Sequence, residues 1–571
     1  GGGGWEQALA LLGEMDAMGV HPDAQILGTC LRACERHGRW REALNLLDRS
    51  MSSHTQTQSG TGLEQPQQQA ETRRHFESAI GACSRAGKWQ QAVRLLDAME
   101  RRGQVPSLVS VNTCITACGR GGGWKTALKL VDRLQASRLG VAPDICTYNA
   151  LVDACGRAGQ WEAALGLFGI LGTQGLAPDL ITYNTAMSAC VRAGQPEPAF
   201  RLWRELLGQQ QEHKGQERAG KAAEKEGAGL KPDVTTLDVL IAAHGLAGEW
   251  QQALRVLHGM EQEHGVVPDL RSWRAALTAC AAAGQADEAI KLLESMGPSQ
   301  TASQTAGGGG LGPNVACINA ALGACGQAGA AGQAAGLLEE MRSRHGLEPT
   351  LESYNAVLKA CARPHSEAQG RRSGGRSGGH EKEAGGGEPG GRWQLALATL
   401  IQMQGRGVFP DLASFAFALA ALAAGGEHSR ALSLLAHMDR RGLRPSLACC
   451  RHVLAACEKR AGEKREKRAD AHEGEETRGA GEMGLDLFEA MLRGEKRPAP
   501  DGAAFRSALR LCASAHGLGE RAEGLLEEMR RRAEAGGAKG ADLTPTDADR
   551  ALVEQAKRLE LKGRHATGRV S

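Results

Sequence analysis

The stretch "PDICTYNALVDACGRAGQWEAALGLF", residues 143–168, is answered thirty-five residues later by "PDLITYNTAMSACVRAGQPEPAFRLW", residues 178–203. Pro-Asp, Thr-Tyr-Asn, Ala-Cys and Arg-Ala-Gly-Gln return at fixed offsets, so the chain is written in units. In the unit 145–179, Tyr148, Leu151, Val152 and Cys155 stand at i, i+3, i+4 and i+7, the apolar stripe of a short helix. Gly159 supplies a left-handed stop. Trp161, Ala164, Leu165 and Phe168 repeat the spacing on a second helix, and Pro178 closes the unit because a helix does not run comfortably into proline. Neither helix can bury its stripe alone, whereas stacked pairs can. The pattern predicts an all-α fold, a right-handed α-solenoid of helix-turn-helix repeats about 35 residues long.

Counting each unit from the residue after Pro-Asp or its substitute, starts fall at Ala24, Arg73, Leu108, Ile145, Leu180, Val234, Leu270, Val315, Leu351, Leu412, Leu447 and Gly502. Residues 1–23 read as a partial repeat and 24–51 as a full one, followed by a Gln/Ser-rich insertion at 52–72. An array over 73–363 carries insertions at 208–229 and 297–312; a low-complexity segment fills 364–391. A second array, 392–546, carries insertions at 458–481 and 532–541, and 547–571 reads as a capping helix and tail. Each insertion falls between helices, where added length costs only about 0.6 kcal/mol per doubling. These spacers are expected to be disordered. The first residues read as the second half of a repeat with no signal or transit pattern, so the chain is expected to begin inside a longer protein.

The totals exclude several alternatives. A chain of 571 residues exceeds the size at which single cores stop growing, about 250–300 residues. The formal charge is only +3, so a nucleic-acid partner has to be met by local patches. Aromatics are scarce at 4%, but the 42% apolar fraction is periodic, which argues against general disorder. No apolar run is long enough to span a membrane. Cys34, Cys83, Cys118, Cys155, Cys190, Cys280, Cys325, Cys361, Cys457 and Cys512 share the eleventh place of their units, one per layer. That spacing lacks the paired clusters zinc needs, so they read as small core residues, and no metal or cofactor is expected. Trp5, Trp40, Trp89, Trp124, Trp161, Trp250 and Trp393 open second helices, a packing position rather than a base-stacking one.

One polar pattern has no packing explanation. The fifth place is Asn in five units, Asn112, Asn149, Asn184, Asn319 and Asn355, although Asn is a mediocre helix former. In the unit 145–179, Asn149 and Asp153 fall opposite the apolar stripe, on the face the first helix turns to the groove. The closing Asp144, Asp179 or Asp233 could be a helix N-cap. A local cap leaves unexplained why an amide in the first turn is paired with the Asp that closes the same unit.

The quoted stretches closely resemble the pentatricopeptide repeat, and the resemblance covers nearly the whole chain apart from its insertions. The 34-residue tetratricopeptide repeat fits less well, since its first-helix Trp and Gly-Tyr signature is missing. The resemblance implies a non-enzymatic protein that binds single-stranded RNA along its groove, one base per repeat. It implies base reading by the fifth residue together with the last: Asn112 with Asp144, Asn149 with Asp179, Asn184 with Asp233 and Asn355 with Asp411 for uridine, and Asn319 with Thr350 for a pyrimidine. It also implies that the second residue sandwiches the base, here Val109, Cys146 and Ile181. The implied footprint is U-U-U, two unread positions, a pyrimidine, then U. Gly28, Glu77, Asp238, Arg274, Ala416, Arg451 and Arg506 hold the fifth place elsewhere and match no reading rule, and the insertion 208–229 threatens the register after Asn184.

Arg36, Arg85, Arg120, Arg157, Arg192, Arg363 and Lys459 share the thirteenth place, at the end of the first helix. They are expected to form a phosphate rail, a role compatible with complementing the helix dipole. The family implies action in a mitochondrion or chloroplast, in transcript stabilisation, processing, splicing or translation, with protein partners in RNA processing. The rival readings are a helical scaffold for proteins and an enzyme with its catalytic domain elsewhere. No deaminase signature, metallonuclease aspartate cluster or phosphate loop is present in the sequence.

Overall fold

Asp and Ser side chains start most first helices, because a short oxygen can accept from the otherwise unpaired amides of the first turn. In the computed structural model, Asp23, Ser107, Asp144, Asp179, Asp233, Asp269 and Asp411 all do so. Gly159, two residues after the helix that ends at Arg157, has φ 72°, a conformation that disfavours any side chain. The structure describes residues 4–20, 22–56, 66–136, 142–217, 230–296, 312–363, 391–466, 474–494, 497–514, 518–535 and 543–567. Among them are twenty-six helices and no strand. The chain forms an all-α helical-repeat solenoid divided into two units, Gly1–Pro268 and Asp269–Ser571.

The first unit runs α1 (Gly4–Ala17), α2 (Ala24–His37), α3 (Trp40–Gln56), α4 (Pro66–Arg85), α5 (Trp89–Arg101), α6 (Leu108–Gly121) and α7 (Trp124–Ala136). It continues with α8 (Ile145–Arg157), α9 (Trp161–Thr173), α10 (Leu180–Arg192), α11 (Pro196–Glu217), α12 (Val234–Leu246) and α13 (Trp250–His264). The second unit holds α14 (Leu270–Ala282), α15 (Ala286–Ser295), α16 (Val315–Ala328), α17 (Ala331–Ser343), α18 (Leu351–Ala362), α19 (Arg392–Gly405) and α20 (Leu412–Gly425). It ends with α21 (His428–Arg440), α22 (Leu447–Glu466), α23 (Gly474–Arg493), α24 (Gly502–Ser514), α25 (Gly519–Ala535) and α26 (Asp547–Thr567).

Within each unit successive first helices pack side by side: α6 on α8 and α8 on α10 in one, α16 on α18 and α18 on α20 in the other. Second helices pack on their own first helix and on the next, and scarcely meet one another. The layer of first helices is therefore the tighter, inner layer of each unit. Small residues make that closeness possible. A Cβ on Gly119 would lie 2.9 Å from the Ala154 Cα, and one on Gly156 would lie 2.5 Å from the Ala189 Cβ. The seam between inner helices is where every candidate reader sits.

The core follows the apolar stripes. Tyr148, Leu151, Val152, Cys155, Ala164 and Phe168 are buried, as the spacing predicts, while Leu165 is only half-buried. All ten eleventh-place cysteines are buried and unpaired, and fifteen of the sixteen cysteines are buried in total. Burial pushes the Cys118, Cys155 and Cys190 thiols up to about 11 and those of Cys325, Cys361 and Cys512 to about 12, as expected of packing groups rather than nucleophiles. Trp40, Trp89 and Trp124 pack half-buried against the same core. No helix among the described residues is long and apolar enough to cross a membrane. The expectation of disordered spacers falls in part on 57–65, 218–229, 297–311, 364–390, 467–473 and 536–542, outside the described residues. The flanks of four insertions are instead helical: α3 runs to Gln56, α4 starts at Pro66, α11 runs to Glu217, α22 runs to Glu466, α23 starts at Gly474 and α25 runs to Ala535. The stacking itself runs past two of the spacers, since α10 packs on α12 and α18 on α20.

Candidate nucleic-acid interface

The closing Asp does two jobs at once. Asp144, Asp179 and Asp233 each accept from the backbone amide and the hydroxyl of the Thr three residues on, at 2.7–2.8 Å. The Thr hydroxyl also accepts from the Asp backbone amide, which completes a capping box. The same Oδ1 takes the side-chain amide of the fifth residue one repeat earlier: Asn112 to Asp144 at 3.5 Å, Asn149 to Asp179 at 3.3 Å and Asn184 to Asp233 at 3.1 Å. In the second unit Asn355 reaches Asp411 at 3.3 Å and Asn319 reaches the Thr350 hydroxyl at 3.3 Å. All five fifth-and-last pairs thus meet across a seam. Asn184 and Asn355 find their partners despite the insertions between them, so register survives both interruptions.

Capping favours the charged form of three of these carboxylates. Burial raises the Asp144 carboxyl, but the Thr147 hydroxyl and amide and the Asn112 amide outweigh it and hold the group below its ordinary range. Asp233 and Asp411 are lowered against the same burial cost, by Thr236 with Asn184 and by Ser414 with Asn355. An ionised Asp only accepts, so it fixes which end of the amide faces it. The Asn nitrogen points to Asp and the oxygen points away.

The structure places these amides differently from the open display expected on the groove face. Asn149, Asn184 and Asn319 are only 8–9% exposed, recessed between adjacent inner helices. Small neighbours let the helices approach until the first-turn side chains close over the seam. Asp153, expected on the same face, instead holds Arg157 at 2.7 Å and Arg192 at 3.3 Å. The side-chain oxygens of Asn112, Asn149 and Asn184 are buried with no hydrogen-bond partner among the described residues. Three such carbonyls in successive repeats are a repeated cost of about 1–3 kcal/mol each that packing does not explain.

Around those amides stand exposed apolar groups. Val109 is 70% exposed and Ile181 62%, and Cys146 is the one exposed cysteine of the chain. All three are the second residues expected to sandwich a base. The seven thirteenth-place cations are exposed. Arg120 donates to the Ser84 carbonyl at 3.2 Å and Arg363 to the Gln327 carbonyl at 3.4 Å, and Lys459 donates to the Ala424 carbonyl. These carbonyls lie at the end of the preceding inner helix, a geometry that complements its dipole and is compatible with a phosphate rail.

The remaining fifth places keep the seam and change its chemistry. Glu77 accepts from the Ser107 hydroxyl at 2.7 Å, and Arg451 pairs with the closing Asp501 at 3.6 Å. Gly28 leaves room for His75, whose ring lies 2.9 Å from the point a Cβ would take. Sequence reasoning missed the third place. His75, Ser110, Thr147, Thr182, Thr236, Ser272, Cys317, Ser353, Ser414 and Cys449 all occupy it, and all are buried. Its signal was a hydroxyl at the N3 position after seven of the caps, at Ser110, Thr147, Thr182, Thr236, Ser272, Ser353 and Ser414, visible in the sequence as Asp-x-x-Thr or a close variant. No group of three or more His, Cys, Asp or Glu residues among the described residues could hold a metal ion.

Comparison with known proteins follows this geometry. The PPR repeat family model matches 143–192, the pentatricopeptide repeat domain model 306–363, and the PPR repeat model 26–53, 75–104, 109–139, 181–209 and 271–297. A search of curated proteins finds no match. Among solved structures, the pentatricopeptide repeat protein PPR10 from maize is similar at 21% identity and a TM-score of 0.48, over 99% of this chain and 76% of that one. The same maize protein in complex with an 18-nt psaJ RNA element matches at 21% identity and a TM-score of 0.36, over 99% and 83%. The PPR domain of Arabidopsis thaliana protein-only RNase P 1 in complex with tRNA matches at 21% identity and a TM-score of 0.24, over 32% of this chain and 84% of that one. The matched segments fall on helix pairs of the solenoid, and these stretches of the chain are pentatricopeptide repeats.

Proposed function

We propose that this protein is a non-enzymatic binder of single-stranded RNA that reads one base per repeat at its Asn–Asp seams. The observation that carries this reading is the run of three recessed amides, Asn112, Asn149 and Asn184, each tied to Asp by its nitrogen and left unpaired at its oxygen. Uracil offers the complement: N3–H donates to the amide oxygen, and O4 accepts the second amide hydrogen. Turning about the Asn side-chain torsions brings the amide out to the base, which lies between exposed second residues such as Cys146 and Ile181. The exposed thirteenth-place cations meet the phosphates.

The footprint we infer is U-U-U, two unread positions, a pyrimidine and U. Occupancy shields the transcript from exonucleases or keeps it unpaired for processing, splicing or translation in an organelle. A protein scaffold would give the unpaired carbonyls no regular ligand. The test is selection of RNA from a random pool by the full chain. By the family's reading rule a Thr paired with Asp favours G, so Asn149→Thr should move one position of the selected motif from U to G. An unchanged motif, or no motif for either protein, overturns the assignment.

A further inference from the structure

We infer that, in each repeat that follows a fifth-place Asn, the buried third residue sets how strongly that Asn takes a base, and that Thr or Ser at this place separates strong from weak readers. The inference rests on the RNA-reading role of the Asn–Asp seams and deepens it.

The two hydroxyl residues behave differently at one and the same place. Thr147, Thr182 and Thr236 turn their hydroxyls to the capping Asp at 2.7 Å. The oxygens of Asn112, Asn149 and Asn184 across the seam stay unpaired. Ser353 and Ser414 also reach back across the seam, each 2.6 Å from the oxygen of the fifth-place Asn319 or Asn355, while staying near their caps, Thr350 at 3.1 Å and Asp411 at 2.8 Å. Ser110 does the same toward the fifth-place Glu77 at 3.3 Å. Beyond the last full repeat, Asp549 at the third place of α26 faces Arg506, another fifth-place residue, at 3.9 Å. Where the third place carries Ser110, Ser353, Ser414 or Asp549 it links the seam to the fifth-place residue, whereas Cys317 donates to the Leu270 carbonyl at 3.9 Å and Ser272 to the capping Asp269 at 3.3 Å. A β-branched side chain is confined at χ1, while Ser turns more freely, which accounts for the split.

The energetic consequence follows from what binding replaces. An unpaired buried carbonyl gains a full hydrogen bond when uracil N3–H arrives. A carbonyl already held by Ser must give up or share that bond, so the net gain shrinks. Ser also anchors the amide in its recessed position. Asn319 is held further still, since its nitrogen donates to Glu352 at 3.0 Å as well as to Thr350. On this basis Thr147, Thr182 and Thr236 leave three amides ready to engage, and Ser353 and Ser414 hold two back. The third residue is a positioning residue and does not itself touch the base.

The experiment uses the full chain and synthetic single-stranded RNA carrying three successive uridines, with single cytidine replacements to locate each position. Thr182→Ser should lower affinity for uridine opposite Asn149 by roughly two- to tenfold and shrink the uridine-to-cytidine ratio there. Thr182→Val removes the hydroxyl but keeps the shape; it should lower the melting temperature while retaining uridine preference. Ser414→Thr should raise uridine preference opposite Asn355. A purely structural third place predicts the reverse pairing, with affinity tracking melting temperature in all three variants, and that result overturns the inference. If Asn149→Ala abolishes discrimination at its position while Thr182→Ser leaves it intact, RNA reading stands and the third-place role falls. If the unmodified protein ignores uridine altogether, both fall.

Discussion

Between α6 and α12 of the first unit, three successive seams hold an Asn, an Asp and a Thr. Between α16 and α20 of the second, two seams hold an Asn, a capping oxygen and a Ser that bonds the Asn oxygen. Further along the second unit, Arg451 meets Asp501 as an ion pair and no amide is presented at all. The backbone frame is the same throughout: a capped inner helix, its first turn touching the cap of the next. Only the chemistry of three places changes. The frame is thus maintained by capping and small-residue packing, which are indifferent to what the fifth place carries. Base recognition is an addition to a cap that the solenoid needs in any case.

The largest expected effect tests that division. Replacing Asn112, Asn149 and Asn184 together by Ala should weaken binding to a uridine-rich strand by at least about tenfold, at roughly two- to tenfold per lost base contact. The same exchange at Asn319 and Asn355 should cost less per residue. Equal losses per residue in filter-binding or fluorescence titrations would erase the distinction between the units. A smaller effect concerns phosphates. Five engaged phosphates on a single strand give a slope of log affinity against log salt near −3.5, about −0.7 each. Arg85→Ala should flatten that slope by about 0.7. Lys459→Ala should change it less, because the Lys459 amine already donates to the Ala424 carbonyl. A slope unaltered by Arg85→Ala would return the thirteenth place to helix termination alone.

Much of this architecture was legible in the sequence, because its determinants are local and repeated. The stripe of Tyr148, Leu151, Val152 and Cys155, the glycine stop at Gly159 and the capping Asp144 each act within one helix or its flank. The pairing of Asn149 with Asp179 was also readable, as a recurring spacing. What could not be read is depth. Whether an amide stands open or recessed depends on how closely α8 and α10 approach, and that is decided by Gly156 against Ala189, residues with no polar signal. Thr182 was hidden for a similar reason. Its hydroxyl looks like an ordinary capping-box member until the unpaired oxygen of Asn149 is seen across the seam.

The smallest effect links the caps to acid. Asp144 and Asp233 in the first unit are held below their ordinary value of 3.8, partly by Asn112 and Asn184. A carboxyl lowered by folding binds fewer protons in the folded chain than in the unfolded one at mildly acid pH. The stability it contributes is complete above its unfolded value, near pH 4, and drains as pH falls through the lower folded value. Asn112→Ala with Asn184→Ala removes one of the bonds responsible, so both carboxyls move up toward the unfolded value. The double variant should then melt below the unmodified protein at pH 6, and the gap should narrow as pH falls below 4 and the carboxyls of both proteins become protonated. A gap that stays constant with pH would mean the Asn amides support the seam by packing alone. The Asn–Asp bond would then be no stronger for the charged carboxylate than for the acid, and the fixed orientation of the amide, on which the reading of uracil depends, would lose its cause.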